Sequence, residues 1–258
     1  MSSNAALRLG RMYDVLFSAY GPQHWWPTQS DPAQPGSDAR FEVIVGAYLT
    51  QNTSWKAVER SLDALRGANA LTIEGMRSLS LTRLQELIRP SGFITRKAPA
   101  LRAFLALLNS EFSGSLDVMA AVPTTALRVR LLALPGVGPE TADAILLYAL
   151  GHSVPVADEY LRRIAERHGL LPSPVPRNSR SYEALTALTS AAFALEPVKN
   201  QRQLFNEFHA LVVAVGKAHC GSTARCENCP LAPDLNPALP TAESCTPKTE
   251  PSRRSAWQ

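Results

Sequence analysis

The stretch that decides the fold is Leu134–Ala142, which reads LPGVGPETA. The apolar segment from Leu127 to Leu134 predicts a helix that ends at the Pro-Gly pair, and a second helix is predicted after Gly138. Pro139 suits the first turn of that helix, because an N–H there would have no intrahelical partner. Gly136 and Gly138 lack a Cβ, so the backbone can adopt left-handed angles and approach another surface. The pattern predicts two helices joined by a tight hairpin.

This hairpin has the chemistry of an anion site. Exposed N–H groups at the turn and the positive end of the second helix attract a phosphate. A DNA backbone provides such phosphates, and a contact to them is independent of base sequence. Without further context, a Gly-x-Gly hairpin also fits an ordinary tight turn that binds nothing. The candidate DNA-binding residues of the hairpin are Leu134, Gly136, Val137 and Gly138.

Outward from the hairpin, the chain predicts an all-α protein. Of its 258 residues 45% are hydrophobic and only 7% aromatic, and Leu and Ala dominate over β-branched residues. Helical spacing predicts a helix over residues 4–20 and a series of helices over 39–150, and no segment alternates as a strand does. After Asp158 we expect a helix of about ten residues, then helices near 182–194 and 201–215. The breaks in the long series fall near Asn52 and near residues 67–69, 90–92, 113–115 and 135–138.

The sequence resembles the endonuclease III-like superfamily of helix-hairpin-helix DNA glycosylases. The superfamily resemblance is carried by LPGVG at 134–138 and the TADAIL helix at 141–146. A closer likeness, to the small 3-methyladenine DNA glycosylases of the endonuclease III type, rests on four segments. These are WWP at 25–27, FEVIVGAYLTQNT at 41–53, RPSGF at 89–93 and ADAIL at 142–146.

The resemblance implies two helical domains that flank a DNA-binding cleft. A six-helix barrel-type domain with the hairpin is expected over residues 38–151. The second domain would join residues 1–37 to 152–245 and carry an iron–sulfur loop. Residues 246–258 have almost no apolar content, so we expect a disordered tail.

Asp158 is the candidate catalytic residue. It stands twenty residues after Gly138 and just before a predicted helix, where the superfamily has its catalytic aspartate. When an N-glycosidic bond breaks, the sugar becomes cationic, and a carboxylate can stabilise it or deprotonate the attacking water. An aspartate in this position also suits a plain helix cap, and both roles can hold together.

Glu140 occupies the position at which the bifunctional members of the superfamily carry a lysine. That lysine forms a Schiff base with the sugar and nicks the strand, which a carboxylate cannot do. The resemblance therefore implies a monofunctional glycosylase with AP lyase activity absent or weak. Glu140 could equally have a structural role alone, because an acidic side chain is favourable at the positive end of a helix dipole.

Two further groups of residues are implied by the resemblance at the damaged base. Gln51 is similar to the residue that fills the gap left by a flipped base. A base that carries a positive charge from alkylation can be selected by stacking on electron-rich rings. The candidate base-pocket residues are Trp25, Trp26, Phe41 and Tyr48, which are equally compatible with a core.

The four cysteines lie in the last 39 residues with the spacing Cys220-x5-Cys226-x2-Cys229-x15-Cys245. Reduced cysteines clustered in this way indicate a metal site, and four thiolates can hold a [4Fe–4S] cluster or a zinc ion. The resemblance favours the [4Fe–4S] cluster, although the last interval is longer than in the family. Lys217, beside this loop, is a candidate phosphate contact.

Charge and composition fit these expectations. A formal net charge of +4 and a pI of about 9.0 are compatible with double-stranded DNA as the partner. We expect a monomer in the cytoplasm, associated with the nucleoid, since no signal peptide or membrane span is recognisable. Two other functions remain open from sequence: an endonuclease III-like enzyme for oxidised pyrimidines, and a non-catalytic damage sensor.

Overall fold

The computed structural model describes residues 3–29, 36 and 38–235 of the chain. Within these ranges the protein is helical and forms no β-strand, so the all-α prediction is confirmed. The helices are α1 (Ser3–Tyr20), α2 (Ala39–Leu49), α3 (Trp55–Gly67), α4 (Ile73–Ser78), α5 (Leu81–Leu87), α6 (Ile94–Phe112), α7 (Leu116–Ala120), α8 (Thr124–Leu132), α9 (Pro139–Ala144), α10 (Glu159–Arg167), α11 (Ser179–Ala192) and α12 (Val198–Ala218).

The chain divides into two compact units. Of the described residues, the first unit takes 3–25 and 153–235, and the second unit takes those between Trp26 and His152. The first unit contains α1 and α10 to α12, and the second contains α2 to α9.

In the second unit, α2 is the central helix. Its sequence, ARFEVIVGAYL, is apolar apart from Arg40 and Glu42, and residues 41–49 are all buried. A helix that is hydrophobic all round must be surrounded by other elements. Helix α2 accordingly packs against α3, α6, α9 and the π-helical turn Ile145–Ala149, which continues α9.

Left-handed residues end or begin several helices of the second unit, at the breaks predicted from sequence. Asn52, Asn69, Phe93 and Ser113 all have φ near +50°. Asn is the residue other than Gly that most readily adopts this conformation, whereas Phe and Ser require support from their surroundings.

The first unit is held together by aromatic packing. The ring of Phe193, just after α11, meets the rings of Tyr13, Phe205 and Phe208 edge-on, with centroids 5.4–6.2 Å apart. Such tilted contacts are the favoured geometry for aromatic pairs. They fix α1 against α11 and α12.

A second contact ties the end of the described chain to this unit. Asp234, in the 3-10 turn Ala232–Asp234, accepts hydrogen bonds from Arg8 at 2.6 Å and lies 3.0 Å from Nδ1 of His168. Arg8 is on α1 and His168 caps the end of α10. The segment that follows the cysteine loop is therefore anchored to two helices of the same unit. None of the helices in the described ranges is long and apolar enough to cross a membrane.

Candidate active site and DNA-binding hairpin

The hairpin forms at the position predicted from sequence. Helix α8 begins at Thr124, earlier than the apolar pattern indicated, because Pro123 takes the extended N-cap position. The chain turns through Gly136, whose φ is +74°, and Val137 N–H donates to the Leu134 carbonyl at 3.3 Å. Gly138 has an extended backbone with φ −92°, so only Gly136 needs the left-handed region. The expectation for Gly138 is corrected in this respect.

An ion pair that the motif did not reveal braces the hairpin. Arg128 on α8 donates to both carboxylate oxygens of Asp143 on α9, at 2.7 and 3.0 Å. Because Asp143 is buried, its charge has lost contact with water, and the well-aligned pair with Arg128 offsets that cost. The pair joins the two helices directly behind the turn.

Gln51 contacts the hairpin within the second unit. Its Nε2 donates to the Gly136 carbonyl at 2.8 Å and to Thr141 Oγ1 at 3.0 Å. Gln51 follows the C-cap residue of α2, and its side chain is half-buried in this position. The structure thus brings together two of the candidate DNA-binding groups.

Asp158 is the N-cap of α10. Its backbone is extended, and its Oδ1 accepts a hydrogen bond from Leu161 N–H at 2.8 Å. The side chain is buried, with 8% of the residue exposed. The capping bond fixes the orientation of the carboxyl group, and the second oxygen, Oδ2, takes no part in that bond.

The second oxygen of Asp158 lies near a neutral imidazole. His209 Nε2 is 4.0 Å from Asp158 Oδ2. Burial lowers the pKa of His209 to about 4, so the ring carries no charge at neutral pH. Burial also raises the pKa of Asp158 to about 7, partly opposed by the hydrogen bond from Leu161. A carboxyl group in this state can exchange a proton near physiological pH.

The helix that carries Asp158 is fixed by close packing and by charge. Gly216 on α12 lies so close to the ring of Tyr160 that any side chain at Gly216 would clash. Glu159 accepts hydrogen bonds from Arg162 and Arg177, which lower its pKa to about 2 although burial opposes this shift. Arg162 is only 6% exposed, and its charge is paired with Glu159 and Glu166.

The cysteine loop begins at the end of α12. Cys220 is buried and Cys226 and Cys229 are half-buried, while Cys245 lies outside the described residues. Arg167 Nη1 lies 3.0 Å from Cys220 Sγ, and Asn228 takes a left-handed turn between the other two cysteines. No three His, Cys, Asp or Glu side chains in the described ranges surround a common point closely enough to hold a metal ion.

The comparisons with known proteins decide the family. The model of the HhH-GPD superfamily of base excision DNA repair proteins matches residues 45–188, which include both the hairpin and Asp158. The chain belongs to this superfamily. A provisionally named DNA repair glycosylase of Methanocaldococcus jannaschii is 34% identical over 233 residues, which are 90% of this chain and 97% of that relative.

Two solved structures extend the comparison of this HhH-GPD chain. The 3-methyladenine DNA glycosylase of H. pylori, bound to 1,N6-ethenoadenine, has a TM-score of 0.64 at 27% identity and covers 84% of this chain and 98% of its own. A trapped covalent intermediate of endonuclease III with DNA has a TM-score of 0.66 at 18% identity, covering 90% and 94%. The second likeness shows a common fold alone.

In this HhH-GPD chain, the two candidate tryptophans have different surroundings. Trp25, in the first unit, meets the His209 ring edge-on at 5.7 Å, and Lys217 Nζ lies 6.0 Å from the centre of its ring. Trp26, in the second unit, packs edge-on against Trp55 and Tyr148. Both tryptophans are half-buried and Lys217 is exposed.

Phe41 and Tyr48 require a correction. Both lie on α2 and are almost completely inaccessible, with 1% and 0% exposed. The ring of Tyr48 packs on Phe104 of α6. Because α2 is surrounded on all sides, neither ring has a free face for stacking. They belong to the core of the second unit and not to a base pocket.

Glu140 lies in the first turn of α9, directly after Pro139. Its side chain is half-buried. An acidic group is favourable there, because the N-terminus of a helix carries a partial positive charge. The residue provides no amine on the hairpin helix of this HhH-GPD chain.

Proposed function

We propose that the protein is a monofunctional DNA glycosylase of base excision repair. It would extrude a damaged base from duplex DNA, hydrolyse the N-glycosidic bond and leave an intact abasic site. The observation that carries the proposal is a buried Asp158 carboxyl group, oriented by its helix cap, in a superfamily member that has Glu140 on the hairpin helix.

The chemistry requires one carboxylate and one water molecule. The bond between C1′ and the base nitrogen breaks, and its electron pair leaves with the base. The ionised Asp158 carboxylate stabilises the positive charge that develops on the sugar. Water then bonds to C1′ and gives its proton to Asp158, whose pKa of about 7 allows that transfer at neutral pH.

Contacts to DNA would come from both units. The exposed backbone at Gly136 and the first turn of α9 after Pro139 would offer N–H groups to a phosphate. Lys217 is an exposed cation beside Trp25 and would contribute a further phosphate contact. Gln51 would enter the space vacated by the extruded base. The phosphate contacts are ionic and independent of base sequence. We therefore expect the affinity for DNA to fall steeply as the salt concentration rises.

We further propose alkylated purines as the substrates. An N-alkylated purine already carries a positive charge, so it leaves as a neutral base and needs little acid catalysis. Such a base stacks favourably on electron-rich rings, and Trp25 and Trp26 are the half-buried rings available for this. The likeness to the H. pylori 3-methyladenine DNA glycosylase supports this choice. The alternative, oxidised pyrimidines, is supported by the fold that the chain shares with endonuclease III.

We also propose a [4Fe–4S] cluster held by Cys220, Cys226, Cys229 and Cys245. Three cysteine thiols within one ten-residue loop are the ligand type that iron–sulfur clusters require. In the described ranges these three side chains do not by themselves surround a common metal position. When bound, the cluster would hold the loop together, and no step of base release depends on it. Protein purified without oxygen should contain about four iron atoms per chain. Zinc in place of iron would contradict this.

The test of the proposed function is base release from a panel of duplexes, each with one lesion. The panel includes 3-methyladenine, 7-methylguanine, ethenoadenine and an oxidised pyrimidine. We expect release of an alkylated purine, with strand breaks only after alkali. Borohydride should trap no protein–DNA adduct, because trapping requires an imine. The matched variant Glu140→Lys introduces an amine and should give a detectable adduct. Efficient trapping by the unmodified protein would contradict the monofunctional mechanism.

A further inference from the structure

The second unit buries a lysine that the proposed reaction does not use. Lys97 lies in the first turn of α6 and is 3% exposed. Its Nζ donates to the Leu49 carbonyl at 2.8 Å, to Thr53 Oγ1 at 2.7 Å and to the Ser91 carbonyl at 2.8 Å. An ammonium group has three N–H donors, so three uncharged oxygens use all of them.

These three oxygens belong to separate segments. Leu49 is the last residue of α2, Thr53 lies in the turn that follows, and Ser91 lies in the 3-10 turn before α6. The Thr53 hydroxyl oxygen is also 2.7 Å from the Ser91 carbonyl and 3.1 Å from the Gln51 carbonyl. The ammonium therefore closes the turn at residues 50–53 against the chain before α6. Its charge also suits the negative end of the α2 dipole.

Both segments held by Lys97 contain a residue in the left-handed region. Asn52 has φ +52° and Phe93, the N-cap of α6, has φ +49°. Asn adopts such an angle more readily than other residues with a side chain, whereas Phe keeps it only where its surroundings impose it. Lys97 contacts both places, since Thr53 is next to Asn52 and Lys97 Nζ lies 5.7 Å from the centre of the Phe93 ring.

The turn determines where Gln51 can reach. Gln51 lies inside it, and its side chain donates to the Gly136 carbonyl and to Thr141 of the hairpin. We propose that Lys97 is a positioning residue that fixes the turn at residues 50–53, so that Gln51 reaches the hairpin and the gap left by the extruded base. The role at the gap rests on the proposed function, whereas the role in the turn does not.

The state of the lysine agrees with this role. Burial lowers the pKa of Lys97 to about 8, so the charged form still predominates at neutral pH. With all three N–H groups engaged, the amine is not available to attack a sugar. Lys97 therefore does not replace the amine that position 140 lacks.

A double-mutant cycle tests whether Lys97 acts through Gln51. The variants are Lys97→Met, Gln51→Ala and the double variant, and base release is measured with protein in excess of a lesion duplex. We expect each single change to slow release about tenfold and the double change to slow it no further, since residues acting through one another are not additive. Affinity for the duplex should change less than twofold. Lys199→Met, an exposed lysine on α12, is the matched control and should release base at the wild-type rate.

Hydrogen exchange on the free protein provides a second measurement. In Lys97→Met, amides at residues 50–54 should exchange at least about tenfold faster, while those of α10 stay unchanged. If Lys97→Met does not fold, Thr53→Val removes the hydroxyl that links Lys97 to the Gln51 carbonyl, and the same local effect is expected. Unchanged exchange at residues 50–54 overturns the positioning role.

The two measurements separate the two proposals. If the double variant slows base release about a hundredfold, the two single effects multiply and the coupling to Gln51 is overturned. Base release by Lys97→Met at the wild-type rate overturns it as well. Absence of base release by the unmodified protein on every lesion overturns the proposed function instead. In that case faster exchange in Lys97→Met still supports the role in the turn.

Discussion

Lys97 in the second unit and Asp158 in the first are both buried ionisable side chains, and their surroundings differ. Lys97 in the second unit has an oxygen acceptor for every N–H of its ammonium group. Asp158 in the first unit has a capping bond from Leu161 on one oxygen, and the other oxygen faces a neutral imidazole at 4.0 Å. Burial moves both pKa values toward neutrality, to about 8 for Lys97 and about 7 for Asp158.

The difference indicates which group is structural and which is reactive. A buried charge with all its hydrogen bonds satisfied holds the surrounding chain in place. A buried carboxyl group with no cation paired closely to it is costly in its charged form, and it gains most when a positive charge develops beside it. Asp158 fits the second description and Lys97 the first. The predictions below use substitutions that separate these two roles.

The largest expected effect is on the activity of Asp158→Asn. Asparagine retains the capping oxygen but cannot stabilise a cationic sugar or accept a proton from water. Base release should fall about a hundred- to a thousandfold, while affinity for the lesion duplex changes little. Single-turnover kinetics together with a binding titration measure the two quantities. Wild-type turnover in the variant would remove Asp158 from the mechanism.

The next effect concerns the stability of Lys97→Met. Methionine fills a similar volume but removes the Lys97 donor from the Leu49 carbonyl, the Thr53 hydroxyl and the Ser91 carbonyl, of which the last keeps only its bond from Thr53. The free energy of unfolding should fall by about 2–4 kcal/mol, as is typical when one partner of a buried polar group is removed. Denaturant unfolding measures this, with Lys199→Met expected within about 0.5 kcal/mol of wild type. Equal stability of all three proteins would show that Lys97 has no structural role.

A smaller effect of opposite sign is expected for the stability of Asp158→Asn. In the unfolded chain Asp158 ionises near its ordinary pKa of 3.8, whereas the folded protein keeps the proton up to about pH 7. The folded state therefore loses stability as pH rises through this window, and the variant does not. Relative to wild type, Asp158→Asn should gain little at pH 4 and about 1–3 kcal/mol at pH 8. A variant less stable than wild type at pH 8 would contradict the cost assigned to this charge.

Local sequence motifs were sufficient to predict part of the fold and part of the candidate site. The Pro-Gly turn and the proline at the start of α9 fix the hairpin through backbone geometry alone, so residues 134–142 were sufficient to predict it. Asp158 was singled out because the resemblance places an aspartate at this distance from the hairpin, and its place as the cap of α10 follows from local preference. Helix breaks at Asn52 and Asn69 also follow from local preference.

Tertiary contacts account for what the sequence did not reveal. Phe41 and Tyr48 were candidates for a base pocket, since an aromatic residue gives no local sign of which face is covered; packing around α2 decides this. Burial lowers the pKa of Lys97, and the oxygens that accept its hydrogen bonds come from Leu49 and Ser91, far apart in the chain. The bidentate pair of Arg128 with Asp143 could have been suspected from a charged residue within the apolar run of residues 142–149.

The most direct test of the central claim is the pH dependence of base release. With lesion duplex well below saturation, the rate reports the protonation of the free enzyme. Because only the ionised form of Asp158 is active and burial raises its pKa to about 7, the rate should rise about tenfold per pH unit from pH 5 toward 7 and level off above it. Residual release by Asp158→Asn should not show this rise. A wild-type rate that is flat between pH 5 and 8 would contradict the assignment of Asp158 as the catalytic group.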